Sequence, residues 1–256
     1  MALAGCSTVP VTGRKQLMLF SRSYETRLGQ QTYQETLSKA EVAANHPVNP
    51  ILQRVGRRIA AVANRPDNRW EFTVIRSKEA NAWALPGGKT AVYTGLLPIC
   101  KNEAGLATVM SHEIGHSLAR HGSERMSQAV LAGLGGAAVA AATKDASTRD
   151  RNLVLIGYGA GATVGVLLPY SRTHEIEADT IGLELMAKAG YDPEEAIHFW
   201  QRMAEESGGK EGLGLLRTHP SSKKRAENLR KSLPRSKRLY EQAPQQYGAG
   251  EELPLR

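Results

Sequence analysis

The chain is poor in cysteine, in aromatic residues and in long apolar runs. Its 256 residues include two cysteines and 5% aromatic side chains. Two cysteines cannot build a disulfide framework or a four-thiolate zinc site. Collagen-like, coiled-coil and other internal repeats are missing, and no set of apolar segments has the quality that a multi-span membrane protein needs. Apolar residues make up 41% and charged residues 23% of the chain, a balance that excludes wholesale disorder. What remains is a globular, mixed-class domain long enough to bury a core without staples.

Charge is the first positive feature. Lys and Arg number 33 against 25 Asp and Glu, a net charge of +8. The segment from Lys223 to Arg238 concentrates basic residues around the single Glu227. No aromatic residue interleaves those charges before Tyr240, and no nucleic-acid reading motif accompanies them. A solvated helix face is therefore expected there, and nucleic acid is not an expected partner.

Periodicity suggests an order of elements. A helix is expected over Tyr24 to Leu37, and a clearer one over Pro50 to Ala63, where Ile51, Leu52, Val55, Ile59 and Val62 share a face. Strands are expected at Trp70 to Ile75 and Thr90 to Thr94, on either side of the turn Pro86-Gly87-Gly88. Asn102 suits the N-cap of a helix running to Arg120. Two glycine-rich apolar stretches, Ala129 to Thr143 and Leu153 to Pro169, predict a buried or lid-forming helical hairpin. Another helix spans Arg172 to Ala189 and stops at Gly190. Asp192-Pro193 starts a further one. The divisions expected are 1–22 as an extended lead-in, 23–233 as the folded domain and 234–256 as a loosely ordered tail.

The chemistry is concentrated in His112-Glu113-Ile114-Gly115-His116. Residues four apart lie on one helix face, so both imidazoles can reach one metal ion. Glu113 lies part of a turn away and can take a proton from water activated by zinc as it attacks a carbonyl. A third ligand is needed. The extension that would supply a third histidine is excluded, because Ala119 and Gly122 stand where Gly and His are required. Glu124, Glu175, Glu177, Asp179 and Glu184 are the downstream carboxylates. Glu175 and Asp179 are four apart, so they can share a helix face and supply one ligand and one acceptor that holds a ligand imidazole. Glu177 is expected to point elsewhere. His121, His174, Trp83 and Trp200 are expected to be structural, and Cys100 to be a buried thiol.

His112-Glu113-x-x-His116 followed by Ser171-Arg172-x-x-Glu175-x-x-Ala178-Asp179 resembles metallopeptidase family forty-eight, which holds CAAX prenyl proteases, HtpX membrane proteases and mitochondrial Oma-type proteases. Asn81-Ala82-Trp83-Ala84-Leu85-Pro86-Gly87-Gly88, Thr218-His219-Pro220 and Arg225 extend the resemblance. It implies an α+β, mainly helical fold of zincin (gluzincin-like) type, with a small sheet and an active-site helix. It further implies one zinc per chain, held by His112, His116 and Glu175, with Glu113 as general base and Asp179 behind the ligands. His219 would assist at the oxyanion or cap the metal in a resting state. The segment Asn81, Ala82, Trp83 and Ala84 would pair with extended substrate.

Leu3-Ala4-Gly5-Cys6 resembles a bacterial lipobox, and Pro10-Val11-Thr12-Gly13-Arg14 after it resembles the family's small periplasmic lipoproteins. The expectation is acylation of Cys6, membrane attachment through that lipid, and residence at the periplasmic face of a bacterial membrane, the outer one favoured by Ser7. The function expected is zinc-dependent endoproteolysis of unfolded or misassembled envelope polypeptides. The competing expectation is a latched or vestigial zinc-containing chaperone or assembly factor.

Overall fold

Helix α4 (Glu103–Ala119) is the centre of the molecule, and nearly every residue in it is buried. In the computed structural model, which describes residues 5–162, 168–206, 214–219 and 223–255, the other elements are arranged around it. Asn102 caps it as expected, its side-chain oxygen accepting the Gly105 N–H at 2.8 Å. α2 (Asn49–Val62) packs Leu52, Val55 and Ile59 against Leu106, Met110 and Ile114 of α4 within one core. α7 (Leu168–Lys188) crosses α4 on another side and adds Ile181 and Met186. α8 (Glu195–Glu206) closes the core with Phe199 and Met203.

Three strands form the main sheet. β3 (Glu71–Ile75) runs parallel to β5 (Lys89–Tyr93), and β4 (Ala82–Leu85) runs antiparallel to β5 on its other side. The order β3-β5-β4 leaves β4 at an edge. Gly87 and Gly88 turn the chain between β4 and β5 with φ near +88°, a conformation that costs glycine little. α1 (Arg22–Leu37) lies beside this sheet, with Tyr33 bonded to Thr73 at 2.6 Å. A short 3-10 turn and α3 (Leu97–Cys100) lead into α4, and Cys100 is fully buried.

The lead-in forms a hairpin, β1 (Gly5–Thr8) with β2 (Lys15–Met18), in which Cys6 pairs with Leu17. After α4, Arg120 adopts a left-handed conformation (φ 62°) and α5 (His121–Ala142) begins at once. An ion pair of Arg120 with Glu25 and a 2.8 Å bond to the Phe20 carbonyl hold that turn.

Two expectations need correction. α5 and α6 (Thr148–Ala162) do form a helical hairpin, joined by a Tyr158 hydroxyl bond to the Ala132 carbonyl at 2.9 Å. The hairpin is not buried, however: Leu134 is 63% and Ile156 69% exposed. Hydropathy records what a segment contains, not what covers it. The part of the expected second helix at 163–167 lies outside the described residues. The tail is also more ordered than expected. α10 (Lys223–Glu241) runs through Pro234, and the residues beyond it return to α4. Glu103 and Ala104 N–H groups donate to the carbonyls of Glu251 and Ala249 at 2.9 and 3.0 Å. Those are the donors a helix N-terminus cannot satisfy internally, so backbone bonds fix the polar tail, together with the buried side chain of Leu253. Among the described residues, no helix is long and apolar enough to cross a membrane.

Candidate metal centre

α4 presents His112 and His116 on the face that meets α7. Their Nε2 atoms lie 3.2 Å apart. α7 brings Glu175, whose Oε2 is 3.5 Å from His112 Nε2 and whose Oε1 is 3.4 Å from His116 Nε2. The helices can approach this closely because both carry glycine at the crossing. A Cβ on Gly182 would lie 2.9 Å from the His112 backbone nitrogen, and one on Gly115 would lie 3.0 Å from the Ala178 carbonyl. His219 follows the short α9 (Leu215–Thr218) and completes the group. Its Nδ1 is 3.3 Å from His112 Nε2 and 3.0 Å from Glu175 Oε1.

These four side chains could hold a metal ion. Donors about 2.0–2.1 Å from a tetrahedral zinc lie roughly 3.3–3.4 Å from one another, and the separations here are of that size. Ring nitrogens gathered around one carboxylate at these distances are a donor set suited to zinc.

Each ligand candidate has a partner on its far side. His112 Nδ1 is 3.0 Å from Asp179 Oδ1. Asp179 is gripped by Arg225 through two bonds of 2.8 Å. Arg225 also lies 3.1 Å from Glu175 Oε2, donates to the His219 carbonyl at 3.2 Å, and stacks on Trp200 at 4.3 Å. Trp200 meets the His112 ring edge-on. Burial opposes charge on His112, but its bonds to Asp179 and Glu175 outweigh this and hold its pKa up at about 9. Burial drives His116 the other way, well below the usual imidazole range. Glu175 is pulled far below the carboxylate range because its bonds to His112, His116 and His219 overcome burial.

Glu113 faces the same space without joining the donor group. Its Oε1 lies 3.3 Å from His219 Nε2. Burial raises its pKa, against the pull of His219 and His112. Beside the centre runs the edge strand β4, and the hydroxyl of Ser117 reaches the Leu85 carbonyl at 3.5 Å. Asn81 precedes that strand; its side-chain oxygen accepts the Ala82 N–H at 2.9 Å, and its carbonyl accepts the Tyr93 N–H at 3.0 Å. Trp83 and Ala84 stand half-buried in β4.

A model of Peptidase family M48 matches residues 47–233. The chain belongs to that family. It is 40% identical over 233 residues to mitochondrial metalloendopeptidase OMA1 of Schizosaccharomyces pombe, covering 88% of this chain and 66% of that protein. It is 34% identical over 253 residues to the Saccharomyces cerevisiae protein of the same name, covering 91% and 71%. A putative beta-barrel assembly-enhancing protease of Vibrio cholerae is 32% identical over 207 residues, covering 77% and 42%. The chain thus spans about two thirds of the yeast relatives and less than half of the bacterial one. Its M48 domain is that of a zinc metalloendopeptidase, and the mainly helical α+β fold expected from the resemblance is the one observed.

The relatives overturn the expected location. The yeast proteins are mitochondrial, which does not fit an outer-membrane lipoprotein of a bacterial envelope. That location rested on two short segments, Leu3 to Cys6 and Pro10 to Arg14; Gly5 and Cys6 lie in strand β1, and Pro10 to Arg14 in the turn of the β1–β2 hairpin.

Several residues around the centre escaped the sequence reading. Glu177 does point away from the donor group, but it reaches His121, whose Nδ1 is 2.9 Å from His116 Nδ1. His174 pairs with Glu124 at 2.9 Å and stacks on His121 at 4.2 Å. Arg14 joins both carboxylates, at 2.7 Å to Glu124 and 2.9 Å to Glu177. Burial and then bonding set these charges: His121 is lowered to about 4, while Glu124 and Glu177 fall to about 2 because bonds to Arg14 and the histidines overcome their desolvation. The available signal was the position of His121 directly after the helix stop.

Proposed function

We propose that this domain cleaves extended segments of unfolded or misassembled polypeptides, with His112, His116 and Glu175 as the zinc ligands and Glu113 as the general base. The observation that carries the reading is the gathering of ring nitrogens and one carboxylate at tetrahedral separations, with a buried Glu113 beside them. Zinc held there supplies a Lewis acid for the scissile carbonyl and for water. Glu113 takes the proton from the attacking water and passes it to the leaving amine, and the burial that raises its pKa helps it to hold that proton between the two transfers. Asp179 and Arg225 fix His112 and Glu175 so that the donors do not reorganise during the reaction. Substrate adds an antiparallel strand to the open edge of β4 through Ala82, Trp83 and Ala84, with Asn81 setting the start of that strand. Backbone pairing tolerates many side chains, which suits misfolded clients; the Vibrio cholerae relative is named for enhancing beta-barrel assembly, which supports a role for proteolysis in protein assembly.

A resting, latched state is favoured by two distances. His219 Nδ1 lies within 3.3 Å of both His112 and Glu175, so His219 fills the position that substrate requires. In this reading His219 swings out as substrate enters.

The test is cleavage of a reduced, unfolded test protein by wild type, Glu113→Gln and His219→Ala, with zinc content measured in each. Glu113→Gln is expected to keep zinc and lose cleavage by at least about 100-fold. Normal turnover by that variant overturns the mechanism. His219→Ala is expected to cut faster than wild type if His219 is a latch; slower cutting with zinc retained assigns it to the oxyanion instead.

A further inference from the structure

The proposed ligand His112 is backed by a carboxylate, the usual arrangement for a metal-bound imidazole. His116 is not. Its Nδ1 faces another imidazole, His121, at 2.9 Å, and the carboxylate is one ring further away: His121 Nε2 to Glu177 Oε2, 3.0 Å. Glu177 is then held from the N-terminal hairpin. Thr12 Oγ1 donates to its Oε1 at 2.9 Å, and Arg14 donates to Oε1 and Oε2 at 2.9 and 3.0 Å.

The direction of the protons along this chain follows from the groups. A carboxylate bonded by an arginine and a hydroxyl can only accept, so His121 carries its proton on Nε2. The Nδ1 of a neutral His121 is then a lone pair, and His116 must donate to it from Nδ1. That leaves the lone pair of His116 on Nε2, the atom that faces His112 and Glu175. The tautomer required for ligation is thereby set from Glu177, two links away.

We propose that His121, Glu177 and the Thr12–Arg14 turn form a positioning relay that orients His116 and fixes its tautomer for metal binding. The hairpin that supplies Thr12 and Arg14 lies outside residues 47–233, which carry the family match, so the relay makes a segment beyond that core a part of the metal centre. Stacking of His121 on His174, itself bonded to Glu124 and through it to Arg14, restrains the ring from its other face. The proposal rests on the reading of His112, His116 and Glu175 as zinc ligands.

The experiment compares wild type, His121→Phe, Glu177→Gln and Thr12→Val, with Glu103→Gln as a control. Glu103 is another buried carboxylate, bonded to Arg58 and Tyr191 at the opposite end of α4. Zinc affinity is measured by chelator competition, cobalt-substituted protein by its visible absorption, and folding by thermal midpoint. His121→Phe and Glu177→Gln are expected to bind zinc about 10–100-fold more weakly and to shift the cobalt bands. Thr12→Val, which removes one donor of three, is expected to weaken binding several-fold and serves if the other two do not fold. Glu103→Gln is expected to lower the midpoint with zinc affinity unchanged. Affinities within twofold of wild type in the relay variants, or losses that merely track the midpoint as in Glu103→Gln, overturn the relay. If wild type itself takes up no zinc, the ligand reading fails instead, and the two failures are distinct.

Discussion

Helices α4 and α5 follow one another with a single residue between them, and both are rich in alanine, glycine and aliphatic side chains. Their surroundings are opposite. α4 buries almost its whole circumference, and its apolar residues are its contacts with α2, α7 and α8. α5 buries only its first turns, through His121, Ser123, Glu124 and Ser127, while Val130, Leu131 and Leu134 beyond them face outward. In α4 the apolar residues make the scaffold and the polar ones the site. In α5 the polar residues are the anchor and the apolar ones are left on the surface. Composition is therefore a poor guide to which helix carries the fold; the partners decide.

Matched glycine substitutions test that contrast most severely. Gly182→Ala places a Cβ 2.9 Å from the backbone of His112. The backbone cannot yield as a flexible side chain would, so α7 must move away from α4. A loss of about 1–3 kcal/mol is expected from overpacking, together with weaker zinc binding because Glu175 moves with its helix. Gly133→Ala in α5 meets nothing within 4 Å and is expected to raise stability by up to about 1 kcal/mol through helix propensity. Denaturant midpoints for the pair check both signs, and a destabilising Gly133→Ala would show that the hairpin surface is covered.

Acid is the next lever. Glu124 sits at about 2, since its bonds to Arg14 and His174 outweigh its desolvation, against 4.5 for the free group. A depressed carboxylate stabilises the fold fully above the unfolded value and loses that contribution as pH falls toward the folded one. The anchoring end of α5 is therefore expected to weaken between about pH 4.5 and 2. Glu124→Gln is expected to be less stable at pH 7 but to lose less on acidification. An equal loss in both proteins would place the acid sensitivity elsewhere.

Much of the centre could be read in the chain because its spacing is local. His112 and His116 are one turn apart, as are Glu175 and Asp179, and helical geometry alone puts each pair on one face. Asn102 and Gly190 marked helix ends for equally local reasons. The relay behind His116 was not legible, since Arg14 meets Glu124 and Glu177 across more than a hundred residues and no periodicity links them. The order in the tail was hidden for a different reason. Its bonds to α4 are made by backbone carbonyls, to which side-chain pattern is blind. The exposed hairpin shows the converse limit, since apolar content alone did not separate a buried hairpin from an exposed one.

The smallest effect is expected on that exposed hairpin. Leu134 and Ile156 stand on the outer faces of α5 and α6, and polar replacement removes little buried contact. Leu134→Ser and Ile156→Ser, singly, are expected to change stability by less than about 0.5 kcal/mol, because the apolar surface of each is already in water. A large core-like loss, of the 2–5 kcal/mol order seen when buried aliphatics are truncated, would mean that these side chains are covered in solution. Concentration dependence of that loss would then distinguish cover by another copy of the chain from cover within one chain, since only the former follows mass action.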